Sequence, residues 1–321
     1  MKKFKKILLI GLDKSKLDSV YWQRIKELAD EISLLPIDSP EIKKYSKDSD
    51  CVLVEFLAKI DKNFIDHAPT LRYIGTYSTG YGRVDAQYAK TRNIAVCNLQ
   101  GPITESVAEF VFAVILEHMR SLEEGKKRGR AGNYSELGIS AREIKNKIFG
   151  VIGLGRIGKR VVEIAQGFGA DVRYWSFHRK KDFERKNVNY QDVDNLISHS
   201  DILSLHLAFN KDTQKFLNSK RIKNIKKGAI VINLSPMELV DLEALIIRLR
   251  KEDITFILDH SDEMKKEDLE KLSKFKNCII YPPMAYISNE ARIAKQEMFV
   301  ANMKNFLKGS PINKVNSAIQ N

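Results

Sequence analysis

The run Phe149-Gly-Val-Ile-Gly-Leu-Gly-Arg-Ile-Gly158, followed by Lys159 and Arg160, decides how this chain folds. Residues 148–152 read as a buried strand, the glycines as a tight turn, and Arg156 as the start of a helix. Gly153 suits the turn, and Gly155 lets backbone N–H groups approach a pyrophosphate. Gly158 lets the helix pack closely on the strand, so that its positive N-terminus faces phosphate. A lone G-x-G-x-x-G is weak evidence, since an ordinary βα turn can contain glycines. Flanked by a strand and a helix, it points to dinucleotide binding through Gly153, Gly155, Arg156, Ile157 and Gly158.

Outward from that run, short apolar segments alternate with longer helical patterns, which predicts an α/β fold with parallel sheets. Before it, strands are expected near 7–10, 32–35, 51–55, 73–76 and 94–97, with helices near 21–29, 60–68 and 84–91. Gln100-Gly-Pro102 punctuates the chain, and an apolar helix follows over 106–120, with Thr104 or Ser106 as its cap. After it, strands are expected near 172–175, 202–206, 229–233, 255–259 and 278–281. A long amphipathic helix is expected from 289 to about 307. Two alternations in 321 residues suggest two similar domains, each able to bury its own core.

The formal charge of +13 comes mostly from scattered lysines, with clusters at 2–6, 126–130 and 179–181. No aromatic-interleaved basic motif accompanies them, so they read as a solvated surface that attracts small anions rather than as a nucleic-acid face. Three cysteines, Cys51, Cys97 and Cys278, lie far apart and fit buried thiols in a reducing cytoplasm. The start superficially resembles a signal peptide, but its apolar run stops at Leu12 and is better read as a first strand. No stretch approaches a membrane span, and no metal-binding pattern such as His-Glu-x-x-His is present.

Further segments carry a resemblance that covers nearly the whole chain. They are Leu71-Arg-Tyr-Ile-Gly-Thr-Tyr-Ser-Thr-Gly-Tyr-Gly-Arg-Val-Asp85, Thr104-Glu-Ser-Val-Ala-Glu-Phe110, Ser204-Leu-His-Leu207, Val231-Ile-Asn233 and Val240-Asp-Leu-Glu-Ala-Leu245. With the glycine run, these are similar to the D-2-hydroxyacid dehydrogenase family. The resemblance implies two doubly wound, Rossmann- or flavodoxin-like domains with a cleft between them. A discontinuous substrate domain would comprise 1–100 plus 288–321, and a dinucleotide domain 101–287. It also implies NAD or NADP as cofactor, a homodimer paired through the nucleotide domain, and hydride transfer to or from a 2-hydroxy or 2-oxo acid.

In that family an arginine binds the acid, a histidine donates the proton, and a carboxylate orients the histidine. The register Ile232-Asn-Leu-Ser-Pro236 puts Pro236 at the arginine position, and Pro282-Pro-Met-Ala-Tyr-Ile-Ser-Asn-Glu-Ala291 puts Pro283 at the histidine position. Leu258-Asp-His-Ser-Asp262 offers Asp262 for the carboxylate. All six histidines precede residue 261, so none is local to position 283. His260, Asp262 and Tyr286 are the candidate replacements for the lost acid, although packing roles compete for each, as they do for Tyr77, Tyr81 and Tyr281.

The cofactor half looks intact by the same resemblance. Thr104, His206, Asn233 and Asp259 fall where relatives line the nicotinamide. Ser176 stands where an acidic residue would hold the adenosine ribose; with Arg179 it slightly favours NADP, because no carboxylate there would repel a 2′-phosphate. Tyr77, Ser78, Thr79 and Gly80 match the loop that holds the substrate carboxylate. The expected activity is therefore an NAD(P)-dependent oxidoreductase of divergent chemistry, or else a homologue that binds the dinucleotide without turning it over.

Overall fold

The computed structural model describes residues 2–13, 15–184 and 188–316; positions 317–321, the end of the expected substrate domain, lie outside them. The chain forms two compact units. One runs to Pro102 and resumes at Ser288, and the other spans Ile103–Ile287.

The first unit carries five parallel strands, β1 (Phe4–Ile10), β2 (Ala29–Leu35), β3 (Cys51–Val54), β4 (Tyr73–Thr76) and β5 (Ala95–Cys97), in the order β2-β1-β3-β4-β5. The apolar run of the N-terminus is thus a central strand. Its side chains alternate between two cores: Phe4, Ile7 and Leu9 face one, while Leu8 and Ile10 face the other. Burial on both faces is why Ile7–Ile10 and the strand Cys51–Val54 read as continuous apolar runs. The helix Asn289–Leu307 completes one of those cores with Phe299, Val300, Met303 and Leu307. Its buried polar residues are satisfied: Gln296 accepts from the Asp18 N–H at 2.6 Å, and Asn302 donates to the Asn98 carbonyl at 2.9 Å.

The second unit carries seven parallel strands in the order β12-β11-β10-β9-β6-β7-β8. These are β6 (Ile148–Ile152), β7 (Asp171–Trp175), β8 (Val188–Tyr190), β9 (Ile202–Leu205), β10 (Ile230–Asn233), β11 (Thr255–Leu258) and β12 (Cys278–Ile280). β6 lies between β7 and β9, so the chain leaves its sheet at the point where strand order reverses, which is where open α/β sheets bind ligands. β8 is absent from the sequence reading because three residues at a sheet edge carry almost no periodic signal. The apolar helix is Thr104–Met119, and it packs on the helix Arg156–Gly167 within this unit. All three cysteines are buried and reduced. Among the described residues no helix is long and apolar enough to cross a membrane.

Candidate active site

The glycine turn joins β6 to the helix Arg156–Gly167. Gly153 has φ +97°, and a Cβ there would lie 2.6 Å from the His206 carbonyl oxygen. A Cβ on Gly158 would lie 2.0 Å from the Gly153 carbonyl oxygen, so neither position admits a side chain. Gly155 is the opposite case, with nothing within 4 Å of an added Cβ. It caps the helix with no side-chain hydrogen bond and no acidic residue in the first turn, so the amides of Arg156 and Ile157 begin a helix whose positive end is not neutralised locally. Two glycines required by packing and one facing open space suit a pyrophosphate.

The ends of neighbouring strands bring the other expected residues to the same edge of the sheet. His206 follows β9; its N–H donates to the Ile152 carbonyl at 2.7 Å, and Nε2 lies 2.8 Å from Ser204 Oγ. Burial lowers its pKa to about 3, so the imidazole stays neutral at physiological pH. Asn233 ends β10 fully buried, with Oδ1 accepting from the Ser235 N–H at 3.3 Å. Asp259 follows β11 and is 2% exposed. Its Oδ2 accepts from the Ala285 N–H at 3.0 Å, while Oδ1 is buried with no hydrogen-bond partner among the described residues. Burial raises its pKa despite that bond. A buried acceptor with a spare lone pair fits an amide donor such as a nicotinamide carboxamide. Thr104 opens its helix half-buried, and Ser106, two residues on, donates through Oγ to the Ala285 carbonyl at 2.8 Å.

The loop carrying Pro283 is therefore pinned at Ala285 from both sides. Pro236 and Pro283 are each half-buried, and neither side chain can bind or move a proton. Of the candidate replacements, Asp262 and Tyr286 are exposed, whereas His260 is half-buried. The imidazole Nδ1 lies 3.2 Å from Glu263 Oε1, an ion-pair distance without hydrogen-bond alignment. Burial opposes its charged form, but Glu263, Asp259 and Asp262 outweigh it and raise the pKa. The carboxylate paired with His260 is Glu263, while Asp262, the residue at the family's carboxylate position, is exposed between them in the chain. A one-turn 3-10 helix, Ser261–Glu263, makes that i,i+3 pairing, and the sequence reading passed over it because Asp262 alone matched the family's register. The ligand atoms of His260, Asp262 and Glu263 all lie within 4.8 Å of one another, close enough to share a cation. Tyr281 is held by Glu117 at 2.7 Å and packs edge-on against Phe110, a structural setting.

At the adenosine end, Ser176 is buried just after β7, and its Oγ donates to the His178 carbonyl at 2.6 Å. Arg179 is already engaged: it grips Glu184 through two bonds of 2.7 and 2.8 Å. Arg179 is the main reason that the Glu184 pKa falls to about 2. The sequence offered Arg179 as a cation for phosphate; Glu184 shares it.

In the first unit the expected substrate loop follows β4. The carbonyls of its turn are all used: Ser78 accepts from the Leu99 N–H at 3.0 Å, Thr79 from Asn98 Nδ2 at 2.6 Å, and Gly80 from Ser78 Oγ at 2.6 Å. Among the described residues no group accepts from the N–H of Ser78, Thr79 or Gly80. Amides without an acceptor are available to hydrogen-bond an anion. Tyr77 anchors the turn, its N–H donating to Val54 at 2.8 Å and its ring edge-on to Phe299. Burial raises its hydroxyl pKa to about 12.

Residues 112–285, just over half of the chain, match the sequence model of the D-isomer specific 2-hydroxyacid dehydrogenase NAD binding domain. The chain belongs to the D-2-hydroxyacid dehydrogenase family. A glyoxylate reductase from Thermococcus litoralis is 33% identical over 283 residues, covering 85% of each chain. Among solved structures, a D-lactate dehydrogenase from Aquifex aeolicus complexed with NAD and lactic acid superposes with a TM-score of 0.84 at 27% identity, covering 95% of this chain and 96% of that one. An acyclic imino acid reductase in complex with NADPH and D-Arg reaches the same TM-score at 28% identity, covering 97% of this chain and 99% of that one. The match to the family's NAD binding domain spans the glycine turn and the strand ends that carry His206, Asn233 and Asp259 in this dehydrogenase-family chain.

Proposed function

We propose that this protein is an NAD(P)-dependent oxidoreductase that reduces a small anionic 2-oxo acid or a close analogue, using a proton source other than the family's usual histidine. The observation that carries the reading is the glycine turn, in which Gly153 and Gly158 exclude side chains while Gly155 faces open space. The glyoxylate reductase and D-lactate dehydrogenase relatives support the substrate class. When bound, the nicotinamide supplies or accepts the hydride. The Gly153–Gly158 turn receives the pyrophosphate. Thr104, His206 and Asn233 line the nicotinamide, and Asp259 Oδ1 accepts from its carboxamide. The Ser78–Gly80 amides receive the substrate carboxylate. The imidazole of His260, its pKa raised by Glu263 against the effect of burial, gives its proton to the oxygen that becomes the hydroxyl.

Pro236 and Pro283 leave the acid's carboxylate without a guanidinium and its carbonyl without the usual donor, so turnover of glyoxylate, pyruvate and hydroxypyruvate is slow. The proper substrate then differs from these, and the imino acid reductase relative indicates one direction of change. The same two prolines favour a second reading, a homologue that binds the dinucleotide as a sensor or partner subunit without turnover. Following coenzyme absorbance with each acid decides between them. Slow oxidation that His260→Gln lowers about a hundredfold, with coenzyme affinity unchanged, supports the enzyme. Tight coenzyme binding without oxidation, even in Pro236→Arg/Pro283→His, supports the second reading.

NADP is preferred to NAD on this account, because Ser176 carries no charge to repel a 2′-phosphate and the Arg179–Glu184 pair is accessible to it. A cytoplasmic homodimer is the expected form. Tyr134 and Leu137, 87% and 78% exposed, supply an apolar segment that a second copy of the nucleotide-binding unit would cover.

A further inference from the structure

We propose that Arg83 binds a second carboxylate of the substrate, so that the protein selects a 2-oxo dicarboxylate over a 2-oxo monocarboxylate. The assignment rests on the reading of the Ser78–Gly80 turn as the site of the first carboxylate, and every residue it uses lies in the first unit.

Arg83 follows closely on Gly80, and its backbone is fixed from both sides. The Val84 N–H donates to the Tyr81 carbonyl at 2.9 Å, closing a turn over 81–84, and the Ile60 N–H donates to the Arg83 carbonyl at 2.9 Å. Phe56, just past the end of β3, links this arginine to the carboxylate turn. A Cβ added at Gly80 would lie 2.8 Å from the edge of the Phe56 ring, so ring and turn pack together. The Arg83 guanidinium lies 5.9 Å from the centroid of the same ring. Phe56 is half-buried yet belongs to neither apolar core of the unit. An aromatic side chain that no core holds, set beside a cation and three amides without acceptors, is placed to line a ligand.

Arg83 is exposed, and among the described residues its side chain has no ion pair and no hydrogen bond, only the Phe56 ring. The carboxylates on the same segments are engaged elsewhere. Glu55 pairs with Lys16 at 2.6 Å, and Asp61 pairs with Lys59 at 3.0 Å. Asp85 accepts from the Tyr88 N–H at 2.9 Å and caps the helix Ala86–Thr91. A ring face offers no acceptor oxygen, so the guanidinium keeps its planar fork of N–H donors for a carboxylate. The turn amides take the carboxylate beside the keto carbon, Arg83 takes the distal one, and Phe56 packs on the methylene carbons between them. Glyoxylate, pyruvate and hydroxypyruvate carry one carboxylate each and leave Arg83 unused.

The test is calorimetric titration of the full chain, saturated with NADP+ so that no hydride is available, using two matched pairs of acids. These are oxaloacetate with 2-oxobutyrate and 2-oxoglutarate with 2-oxovalerate, each pair differing by a carboxylate in place of a methyl group. We expect at least one dicarboxylate to bind about tenfold or more tightly than its counterpart, the effect of one charge-assisted bidentate contact. Arg83→Gln should abolish that preference and leave monocarboxylate and NADP+ affinity unchanged, which reports an intact fold. Arg83→Lys should keep part of the preference. A preference that survives Arg83→Gln, or none in the wild type, would overturn the proposal and leave the carboxylate turn standing. Failure of the wild type to bind any of the four acids while it binds NADP+ would overturn both.

Discussion

The carboxylate of Asp259 holds the backbone N–H of Ala285 at 3.0 Å with one oxygen, while the other is buried without a partner among the described residues. One side chain thus fixes the loop that carries Pro283 and presents an acceptor at the end of β11. The two roles separate by substitution. Asp259→Asn retains an acceptor for Ala285 but turns a donor toward the pocket, so thermal stability should change little while NAD(P)H affinity falls about tenfold. Asp259→Ala should lose both, with about 1–3 kcal/mol of stability removed by freeing the Ala285 amide. Thermal melts paired with coenzyme titration check both outcomes.

The three turn glycines should respond differently to alanine. At Gly158 the new Cβ would meet a backbone oxygen at 2.0 Å, which cannot move aside. Gly158→Ala should therefore cost about 3 kcal/mol in urea unfolding. Gly155→Ala meets nothing within 4 Å and has an ordinary φ of −79°, so it should fold normally and lose coenzyme affinity instead. Equal stability losses in the two variants would contradict this division.

Glu184 competes with any phosphate for Arg179. The pair is exposed and contributes little to stability, so Glu184→Gln should fold like the wild type. It should bind NADPH several-fold tighter and leave NADH almost unchanged, since only NADPH carries the 2′-phosphate. Comparing the two dissociation constants in each protein measures the effect.

His206 should give an acid-sensitive stability. The folded imidazole has a pKa of about 3, against about 6.5 unfolded. Between these values the unfolded chain binds a proton that the native chain refuses, so stability rises with pH across that window and falls as pH drops below about 6.5. From pH 7 to pH 5 the site accounts for about 2 kcal/mol of loss, before most carboxylates titrate. His118, held low by burial and Arg142, has the same sign, and His260, held high, the opposite one. Unfolding wild type and His206→Gln at both pH values isolates the His206 share, which the variant should lack.

The central strands were legible because they are buried on both faces, which gives the apolar runs Ile7–Ile10 in β1, Cys51–Val54 in β3 and Ile230–Ile232 in β10. The turn at Gly153–Gly158 was legible because its chemistry is local: three glycines meet constraints set within a few residues. Three kinds of feature were not legible. The Val188–Tyr190 strand has too few residues to show a period. The pairings His260–Glu263 and Arg179–Glu184 depend on how short turns fold back on themselves, which register matching does not encode. The Lys295–Tyr77 contact joins residues more than two hundred positions apart, and no pattern along the chain marks it.

The helix Asn289–Leu307 finishes a core that the first strands began, because Phe299, Val300, Met303 and Leu307 lie in one cluster with Phe4, Ile7 and Leu9. During synthesis the unit spanning Ile103–Ile287 emerges whole while the earlier one still lacks that wall. A nascent chain stalled before Ser288 would expose the apolar face of β1, a surface that invites chaperones or aggregation. The order of maturation is therefore the reverse of the order of translation: the second unit can close on its own, and the first waits for the last helix.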